Sequence, residues 1–238
     1  MTTITTRDEP IAIPDGETGA HIALPAAGRG PGILLLHEIF GVNVYVRDNA
    51  RRLAELGYVV LAPDLFWRTQ PGLELPHDDA GLQAGMAAMA QLDVDAAADD
   101  AVASLGVLRA LAEVSGGRAG VLGFCLGGTL AYEVAVRGEP DVAVVYYGSG
   151  VPGSLDAAPG IRCPTIMHWG GADPFIPREQ VDAVAAVAEG HALIECHVHE
   201  GAGHAFDNHR APQFHNPDAA AAAWELTTAF LARELPVA

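Results

Sequence analysis

The sequence predicts an α/β fold in which a mainly parallel central sheet carries helices on both faces. The order of the segments along the chain supports this prediction. Short apolar runs, each long enough for one strand, alternate along the chain with longer segments of helical spacing. This repeated order of strand and helix favours parallel strands joined by helical crossovers. The 238 residues, half of them hydrophobic, suit one large domain spanning 1–238.

The individual elements are predicted from periodicity and from the glycines and prolines that interrupt it. Seven apolar runs are expected to form strands: 20–24, 32–36, 58–62, 118–123, 142–147, 164–169 and 192–199. Six segments are expected to be helical: 47–56, 79–91, 95–113, 126–137, 178–189 and 217–234. Residues 64–78 show neither pattern and are expected to be irregular. Because the active site of such a sheet lies at the carboxyl ends of its strands, the residues just after each strand are the first functional candidates.

The charge of the chain excludes several classes of function. All 13 basic residues are arginines, and 30 acidic residues bring the formal net charge to −17. Without lysine, the chain cannot form a lysine Schiff base, a P-loop lysine contact or a lysine-activated serine. An acidic surface also disfavours nucleic acid and anionic membranes as partners, since both attract cationic proteins.

The same composition predicts a cytoplasmic protein. The first ten residues, MTTITTRDEP, lack the apolar core of a signal peptide, and no apolar run reaches the ~18 residues of a membrane span. The three cysteines, Cys125, Cys163 and Cys196, are too few and odd in number for a disulfide framework. We expect a monomer or a small homo-oligomer.

The segment Gly123-Phe124-Cys125-Leu126-Gly127 joins a predicted strand to a predicted helix. The pattern G-x-C-x-G is that of a nucleophile elbow in which cysteine replaces serine. Taken alone, the motif favours a buried structural cysteine, and its position between a strand and a helix is what supports the nucleophile. The helix that follows would direct its N-terminus at the reacting carbonyl and favour both a thiolate and an oxyanion. The Leu126 N–H is therefore a predicted oxyanion donor.

Two further residues complete a catalytic order. Asp173 follows the strand 164–169, and His204 follows the strand 192–199, each in a glycine-rich turn. Asp173 alone could be a turn former and His204 a surface histidine, but nucleophile, acid and histidine occur in the order of an α/β-hydrolase. We therefore expect His204 to act as the base for Cys125, and Asp173 to accept the other ring N–H and fix the tautomer.

The other histidines suggest a competing hypothesis of a zinc site, which is disfavoured. Five histidines fall close together in the C-terminal region: His197, His199, His204, His209 and His215. His197 and His199 share one face of a strand, and neither a cysteine pair nor an H-E-x-x-H motif accompanies them. No metal and no cofactor are predicted.

With these residues in place, the sequence resembles the dienelactone hydrolase family, also called carboxymethylenebutenolidases, from about residue 10 to 234. The motifs that carry the resemblance are His37-Glu38-Ile39-Phe40-Gly41 with Asn43, Ala62-Pro63-Asp64-Leu65, Gly123-Phe124-Cys125-Leu126-Gly127-Gly128, Tyr146-Tyr147-Gly148, Gly171-x-Asp173 and Gly201-x-Gly203-His204-x-Phe206. The resemblance implies a single-domain α/β-hydrolase fold without a large cap.

The resemblance also implies roles for residues that the patterns alone do not single out. Glu38 would contact the sulfur of Cys125 in the resting enzyme and help to hold the thiol neutral. The Ile39 N–H would be the second oxyanion donor, and its place after the strand 32–36 agrees independently with the usual source of that donor. Three aromatic residues of the motifs, Phe40, Tyr147 and Phe206, are expected to bind substrate.

The chain departs from the family at the substrate carboxylate. Family members that hydrolyse dienelactone hold its carboxylate with two arginines, one after the A-P-D-L strand and one four residues beyond the catalytic histidine. No arginine lies between Arg68 and Arg109 here, and the second position is Asn208. Either the substrate lacks the carboxylate, or Arg68 or Arg210 binds it from a different place.

The predicted function is hydrolysis of an activated ester or lactone through a thioester acyl-enzyme. Two alternatives keep the fold: a thioesterase or general carboxylesterase, and a non-catalytic protein in which Cys125 is an oxidisable thiol. The presence of His204 and Asp173 argues against the thiol sensor, which has no need of them. A cysteine peptidase is a weaker alternative.

Overall fold

The computed structural model describes residues 3–237 and contains one eight-stranded sheet. Its strands are β1 (Thr5–Ile13), β2 (Gly16–Leu24), β3 (Gly30–Leu36), β4 (Val59–Pro63), β5 (Val114–Phe124), β6 (Ala143–Tyr146), β7 (Thr165–Gly170) and β8 (Ile194–His199). The order across the sheet is β1-β2-β4-β3-β5-β6-β7-β8, and the six strands from β4 to β8 pair in parallel. This is the predicted α/β-hydrolase fold.

Six α-helices connect and cover the strands: α1 (Val44–Glu55), α2 (Asp79–Met89), α3 (Val94–Ala110), α4 (Leu126–Arg137), α5 (Arg178–Glu189) and α6 (Pro217–Glu234). Two short 3-10 turns, Val151–Gly153 and Leu155–Gly160, lie between β6 and β7. Every residue of β3, β4, β6 and β7 is buried, as expected for parallel strands covered on both faces. None of the helices described has both the length and the apolar character needed to cross a bilayer.

The largest difference from the predicted elements is the N-terminal hairpin. Sequence periodicity predicted no strand before residue 20, but β1 pairs antiparallel with β2 along its full length, and β2 begins at Gly16. The sequence of β1, TTRDEPIAI, is mostly exposed and polar because it forms the edge of the sheet. Its apolar content is confined to one end, so the strand lacks the buried run by which the others were found.

The carboxyl ends of the parallel strands bring the sequence candidates to one edge of the sheet. His37 to Phe40 follow β3, Cys125 follows β5, and Tyr147 follows β6. Asp173 follows β7 and His204 follows β8. The fold therefore places residues that are distant along the chain at a single location.

A buried histidine on β7 links this region to α6. His168 is fully buried; its Nδ1 lies 3.2 Å from Nε2 of His199, and its Nε2 lies 3.0 Å from the Thr227 hydroxyl. Burial lowers the pKa of His168 well below its ordinary value, and the neighbouring histidines 199 and 197 lower it further. Within residues 3–237, no group of three or more histidine, cysteine or acidic side chains has a geometry suited to a metal ion.

We predict that acidification destabilises the protein partly through His168. The folded state keeps this imidazole neutral, whereas the unfolded chain takes up a proton near its ordinary pKa of ~6.5. The unfolded state therefore binds more protons below that pH, and this one group should cost about 2 kcal/mol of unfolding free energy between pH 7.5 and pH 5. Urea denaturation of wild-type protein and His168→Gln across this range measures the difference.

The expected result is a variant that is less stable at pH 7.5 but whose stability falls less steeply on acidification. His191→Gln serves as the control and should keep the wild-type slope, because His191 lies between α5 and β8 and is not a hydrogen-bond partner of His168. Identical slopes for His168→Gln and the wild type would contradict the prediction.

Candidate active site

Cys125 occupies a sharp turn between β5 and α4. Its backbone has φ 54° and ψ −113°, a conformation that is strained for any residue with a Cβ atom. Both motif glycines are required by close contacts: a Cβ on Gly123 would lie 1.9 Å from the Gly127 carbonyl oxygen, and a Cβ on Gly127 would lie 2.1 Å from that of Leu36. The local structure is that of the elbow predicted from the sequence.

A chain of contacts links Cys125 to His204 and Asp173. His204 Nε2 lies 3.1 Å from the Cys125 sulfur, and His204 Nδ1 lies 2.8 Å from Asp173 Oδ2. The other carboxylate oxygen of Asp173 accepts hydrogen bonds from the backbone N–H groups of Phe175 and Ile176, at 2.8 and 3.1 Å. One oxygen of Asp173 therefore accepts the hydrogen bonds of the turn, and the other contacts the imidazole.

The electrostatics of the pair favour a charged imidazole. Burial alone would lower the pKa of His204, but the charge of Cys125 and the hydrogen bond with Asp173 oppose it and raise the pKa to about 10. His204 can therefore hold a proton at neutral pH beside the Cys125 sulfur. At the other two cysteines, burial raises the pKa of Cys163 and raises that of Cys196 to about 11.

Two backbone N–H groups near Cys125 are available to an anion. Leu126 is the first residue of α4, so its N–H has no acceptor within the helix. The Ile39 N–H belongs to the Glu38–Ile39 peptide, and it donates no hydrogen bond within residues 3–237. The Gly127 N–H donates to the His37 carbonyl at 3.0 Å and thereby ties α4 to the end of β3, where Ile39 lies.

The buried ring of His37 fixes the orientation of the Glu38–Ile39 peptide. Its Nε2 accepts a hydrogen bond from the Leu65 N–H at 3.0 Å, so Nδ1 carries the proton and donates to the Glu38 carbonyl at 2.5 Å. In a trans peptide the N–H points away from the carbonyl oxygen, so holding that oxygen also aims the Ile39 N–H. Sequence reasoning treated His37 only as part of a motif and missed this contact.

Glu38 is held in a buried polar cluster behind the sulfur. Its Oε2 accepts a hydrogen bond from Asn208 Nδ2 at 2.7 Å, and its Oε1 has no partner among the described residues. The second Asn208 amide proton faces His77 Nε2 at 3.0 Å, and the Asn208 oxygen accepts the Arg210 N–H at 3.0 Å. The polar partner of the Cys125 sulfur is His204, and the expected contact of Glu38 with the sulfur is not among the hydrogen bonds formed in this state.

A cavity of about 110 Å³ opens at these residues and is mainly apolar. The predicted residues Glu38, Ile39, Phe40, Cys125 and His204 all line it. Sequence reasoning missed the remaining lining residues: Leu82, Met86, Met89, Ser149, Phe175, Ala205 and Phe214. Three of these, Leu82, Met86 and Met89, follow helical spacing on α2, a signal that marks one face of the helix but not what that face meets.

The remaining predicted substrate-binding residues lie outside the cavity lining. The rings of Tyr147 and Phe206 are fully buried, and Tyr147 packs 5.2 Å from His204 and 5.1 Å from Phe206. Arg68 forms ion pairs with Asp15 and Asp100 at 2.9 and 2.7 Å. Arg210 pairs with Asp48 at 2.6 Å, so the structure brings neither arginine into the site.

The fold and this site define a hydrolase, and comparison with known proteins gives its family. The family model described as "Dienelactone hydrolase family" matches residues 18–235, and the chain therefore belongs to that family. This membership makes it a carboxylic ester hydrolase, as the sequence motifs predicted.

Individual relatives agree with the family. A carboxymethylenebutenolidase of Pseudomonas sp. (strain P51) is 37% identical over 225 residues, which cover 93% of this chain and 92% of the relative. A carboxymethylenebutenolidase of Pseudomonas putida is 36% identical over 81% of this chain and 82% of its own. A solved structure from Klebsiella pneumoniae is 26% identical with a TM-score of 0.84, covering 97% of this chain and 99% of the other. A dienelactone hydrolase structure from Anabaena variabilis shares the fold, with a TM-score of 0.71, 16% identity, and coverage of 98% and 99%.

The close approach of Gly127 to β3 predicts that Gly127→Ala is destabilising. The added methyl group would meet the Leu36 carbonyl oxygen and carbon, at 2.1 and 2.4 Å, and the backbone must move to accept it. We expect a loss of about 1–3 kcal/mol in unfolding free energy, measured by urea denaturation, together with slower alkylation of Cys125.

Gly106→Ala is the matched control. Gly106 lies within α3, and a Cβ there meets nothing within 4 Å. This substitution should stabilise the protein by about 0.5–1 kcal/mol, because alanine favours the helix. Equal effects of the two substitutions would show that the contact of Gly127 with β3 is not restrictive.

Proposed function

We propose that the protein hydrolyses activated esters or lactones through a thioester formed on Cys125. The observation that carries the proposal is the continuous contact from Asp173 through His204 to the sulfur, formed at a nucleophile elbow. Asp173 orients the imidazole, and His204 holds the proton removed from the thiol. An oxidisable thiol sensor would need neither of these contacts.

The reaction begins when the Cys125 sulfur attacks the substrate carbonyl carbon and a C–S bond forms. The carbonyl oxygen becomes an oxyanion, and the N–H groups of Leu126 and Ile39 stabilise it. As the intermediate collapses, the bond from carbon to the leaving oxygen breaks, and His204 gives its proton to that oxygen. A water molecule then gives its proton to His204 and attacks the thioester, the C–S bond breaks, and the carboxylic acid leaves.

The nucleophile itself restricts the substrate. The tetrahedral intermediate can expel either thiolate or the ester oxygen, and a thiol with a pKa of ~8.5 leaves far more readily than an alkyl alkoxide. An enol or phenol oxygen, with a pKa near ~10, competes much better. The site should therefore act on enol lactones, aryl esters and thioesters in preference to alkyl esters and amides.

Glu38 is proposed to act on the resting thiol. Its carboxylate lines the same cavity as Cys125, and its Oε1 is free of hydrogen bonds within the described chain. When Cys125 turns away from His204, this oxygen is the buried acceptor available to the neutral thiol. Substrate binding would then displace the thiol from Glu38, and the Cys125 side chain would turn back to His204.

Replacing the nucleophile should abolish turnover. We expect Cys125→Ala to lower kcat/KM for 4-nitrophenyl acetate by at least about 10³-fold, since the thioester cannot form. Iodoacetamide at pH 7.5 should modify Cys125 first and inactivate the enzyme, because the pKa values of Cys163 and Cys196 are raised by burial. Mass spectrometry of the labelled peptides identifies the modified residue.

Cys196→Ala provides the control, because Cys196 is a half-buried thiol on β8 outside the cavity. This variant should keep its activity and its sensitivity to iodoacetamide. Full activity in Cys125→Ala, or inactivation that follows labelling of Cys196, would rule out Cys125 as the nucleophile.

A second prediction concerns His37, which we propose as a positioning residue for the oxyanion donor Ile39. His37→Leu removes the hydrogen bond to the Glu38 carbonyl and should lower kcat by about 10–100-fold with a smaller change in KM. His37→Asn places an N–H donor near the original Nδ1 and should recover part of the loss. Steady-state kinetics on an aryl ester, with thermal unfolding of both variants, test the prediction.

The split between kcat and KM distinguishes positioning from general stability. A merely structural role would lower the melting temperature and leave kcat of the folded fraction unchanged. Equal kcat in His37→Leu and His37→Asn would contradict the proposed role.

A further inference from the structure

The wall of the cavity is apolar on the side formed by α2. Leu82, Met86 and Met89 lie at positions i, i+4 and i+7 of this helix and all line the cavity. The helix also lies close to the segment that follows β3, since a Cβ on Gly85 would lie 2.8 Å from the Ile39 carbonyl oxygen. The apolar wall is therefore fixed next to the proposed site of bond cleavage.

The mouth of the cavity exposes hydrophobic side chains to an unusual degree. Of the eight large hydrophobic side chains that are exposed in the described part of the chain, Phe175 (52%) and Met86 (50%) are the most exposed, and both line this cavity. Phe175 also packs edge-on against His204, with ring centroids 5.2 Å apart. Exposed apolar side chains such as Phe175 and Met86 are typical of a surface that binds a ligand, and Phe175 contacts His204.

The charge of the lining is the second observation. Apart from the Cys125–His204 pair, Glu38 is the one ionisable side chain that lines the cavity in residues 3–237. Asn208 satisfies one of its oxygens with a hydrogen bond but brings no positive charge. His77 Nε2 lies 3.8 Å from the same oxygen, but this nitrogen accepts a hydrogen bond from the Asn208 amide at 3.0 Å. Arg68 and Arg210, which could have supplied that charge, are paired with Asp15, Asp100 and Asp48 instead.

These observations decide between the two substrate types that the missing arginines left open. Resting on the proposed ester hydrolysis, we infer that the site takes an uncharged substrate whose apolar part lies against Met86, Leu82 and Phe175, and that it selects against anionic substrates. A substrate carboxylate in this cavity would lose water without gaining a cationic partner, beside the like charge of Glu38. Methionine side chains adapt to different apolar shapes, so a range of acyl chains should be accepted.

Two esters with the same leaving group test the inference directly. 4-Nitrophenyl heptanoate and mono-4-nitrophenyl adipate have acyl chains of similar length, but the adipate carries a terminal carboxylate at pH 7.5. We expect wild-type kcat/KM for the heptanoate to exceed that for the adipate by about tenfold or more, with most of the difference in KM. Spontaneous hydrolysis of each ester is measured with Cys125→Ala and subtracted.

The position of the apolar part is tested by adding a charge at the mouth. Met86→Arg should raise kcat/KM for the adipate ester and lower it for the heptanoate, so that their ratio falls by about tenfold. Leu226→Arg makes the same change of charge at an exposed leucine on α6 outside the cavity lining, and should leave the ratio within about twofold of wild type. Thermal unfolding of both variants establishes that they are folded.

Each outcome separates the inference from the function on which it rests. Hydrolysis of neither ester would overturn the proposed function and the inference with it. Hydrolysis of both esters, with the adipate equal or preferred in the wild type, would leave the proposed function standing and overturn the inference. An equal change of ratio in Met86→Arg and Leu226→Arg would show that the apolar part of the substrate does not lie at Met86.

Discussion

The strained turn at Cys125 is the constraint on which the rest of the site depends. A positive φ at a residue with a Cβ atom persists only where the surrounding structure enforces it. Here α4 lies so close to β3 and β5 that Gly123 and Gly127 touch carbonyl oxygens of neighbouring segments. The Gly127 N–H then bonds the His37 carbonyl, so the sulfur and the Ile39 N–H belong to one rigid unit. The burial of the apolar strands β3, β4, β6 and β7 offsets the cost of this strained backbone conformation.

The fixed position of Asp173 also helps to explain the raised pKa of His204. Two backbone N–H groups hold Asp173 in place, so the position of its other carboxylate oxygen is fixed. The His204 imidazole is oriented so that Nδ1 contacts this oxygen. A buried histidine would ordinarily lose its proton, yet the pKa of His204 is raised to about 10 because the carboxylate and the sulfur flank it. The same burial without such partners keeps His168 neutral only 36 residues earlier in the chain.

The elements that the sequence predicted best are those that begin or end at a glycine or a proline. The bounds of α4, α5 and α6 agree with prediction because glycine or proline marks at least one end of each. The proximity of Cys125, Asp173 and His204 could be predicted because all three follow strand ends at one edge of the sheet. β1 could not be predicted from periodicity, since an exposed edge strand has a polar sequence. The partners of His37, Arg68 and Asn208 could not either, because each contact joins segments whose relative position only the folded chain determines.

The negative charge of Glu38 in the cavity has the same sign as the net charge of the whole molecule. Asn208 provides the hydrogen bond that a buried carboxylate requires, but as a neutral donor it leaves the negative charge in place. Among the described residues, no arginine lines the cavity to offset that charge, so the cavity has the same sign as the chain as a whole, whose formal net charge is −17. In the proposed reaction a neutral ester enters, and the carboxylic acid that forms ionises to a carboxylate at neutral pH. The field of Glu38 and of the acidic surface then acts against the product and not against the substrate, and it favours release at the step where a tightly held anion would inhibit the enzyme.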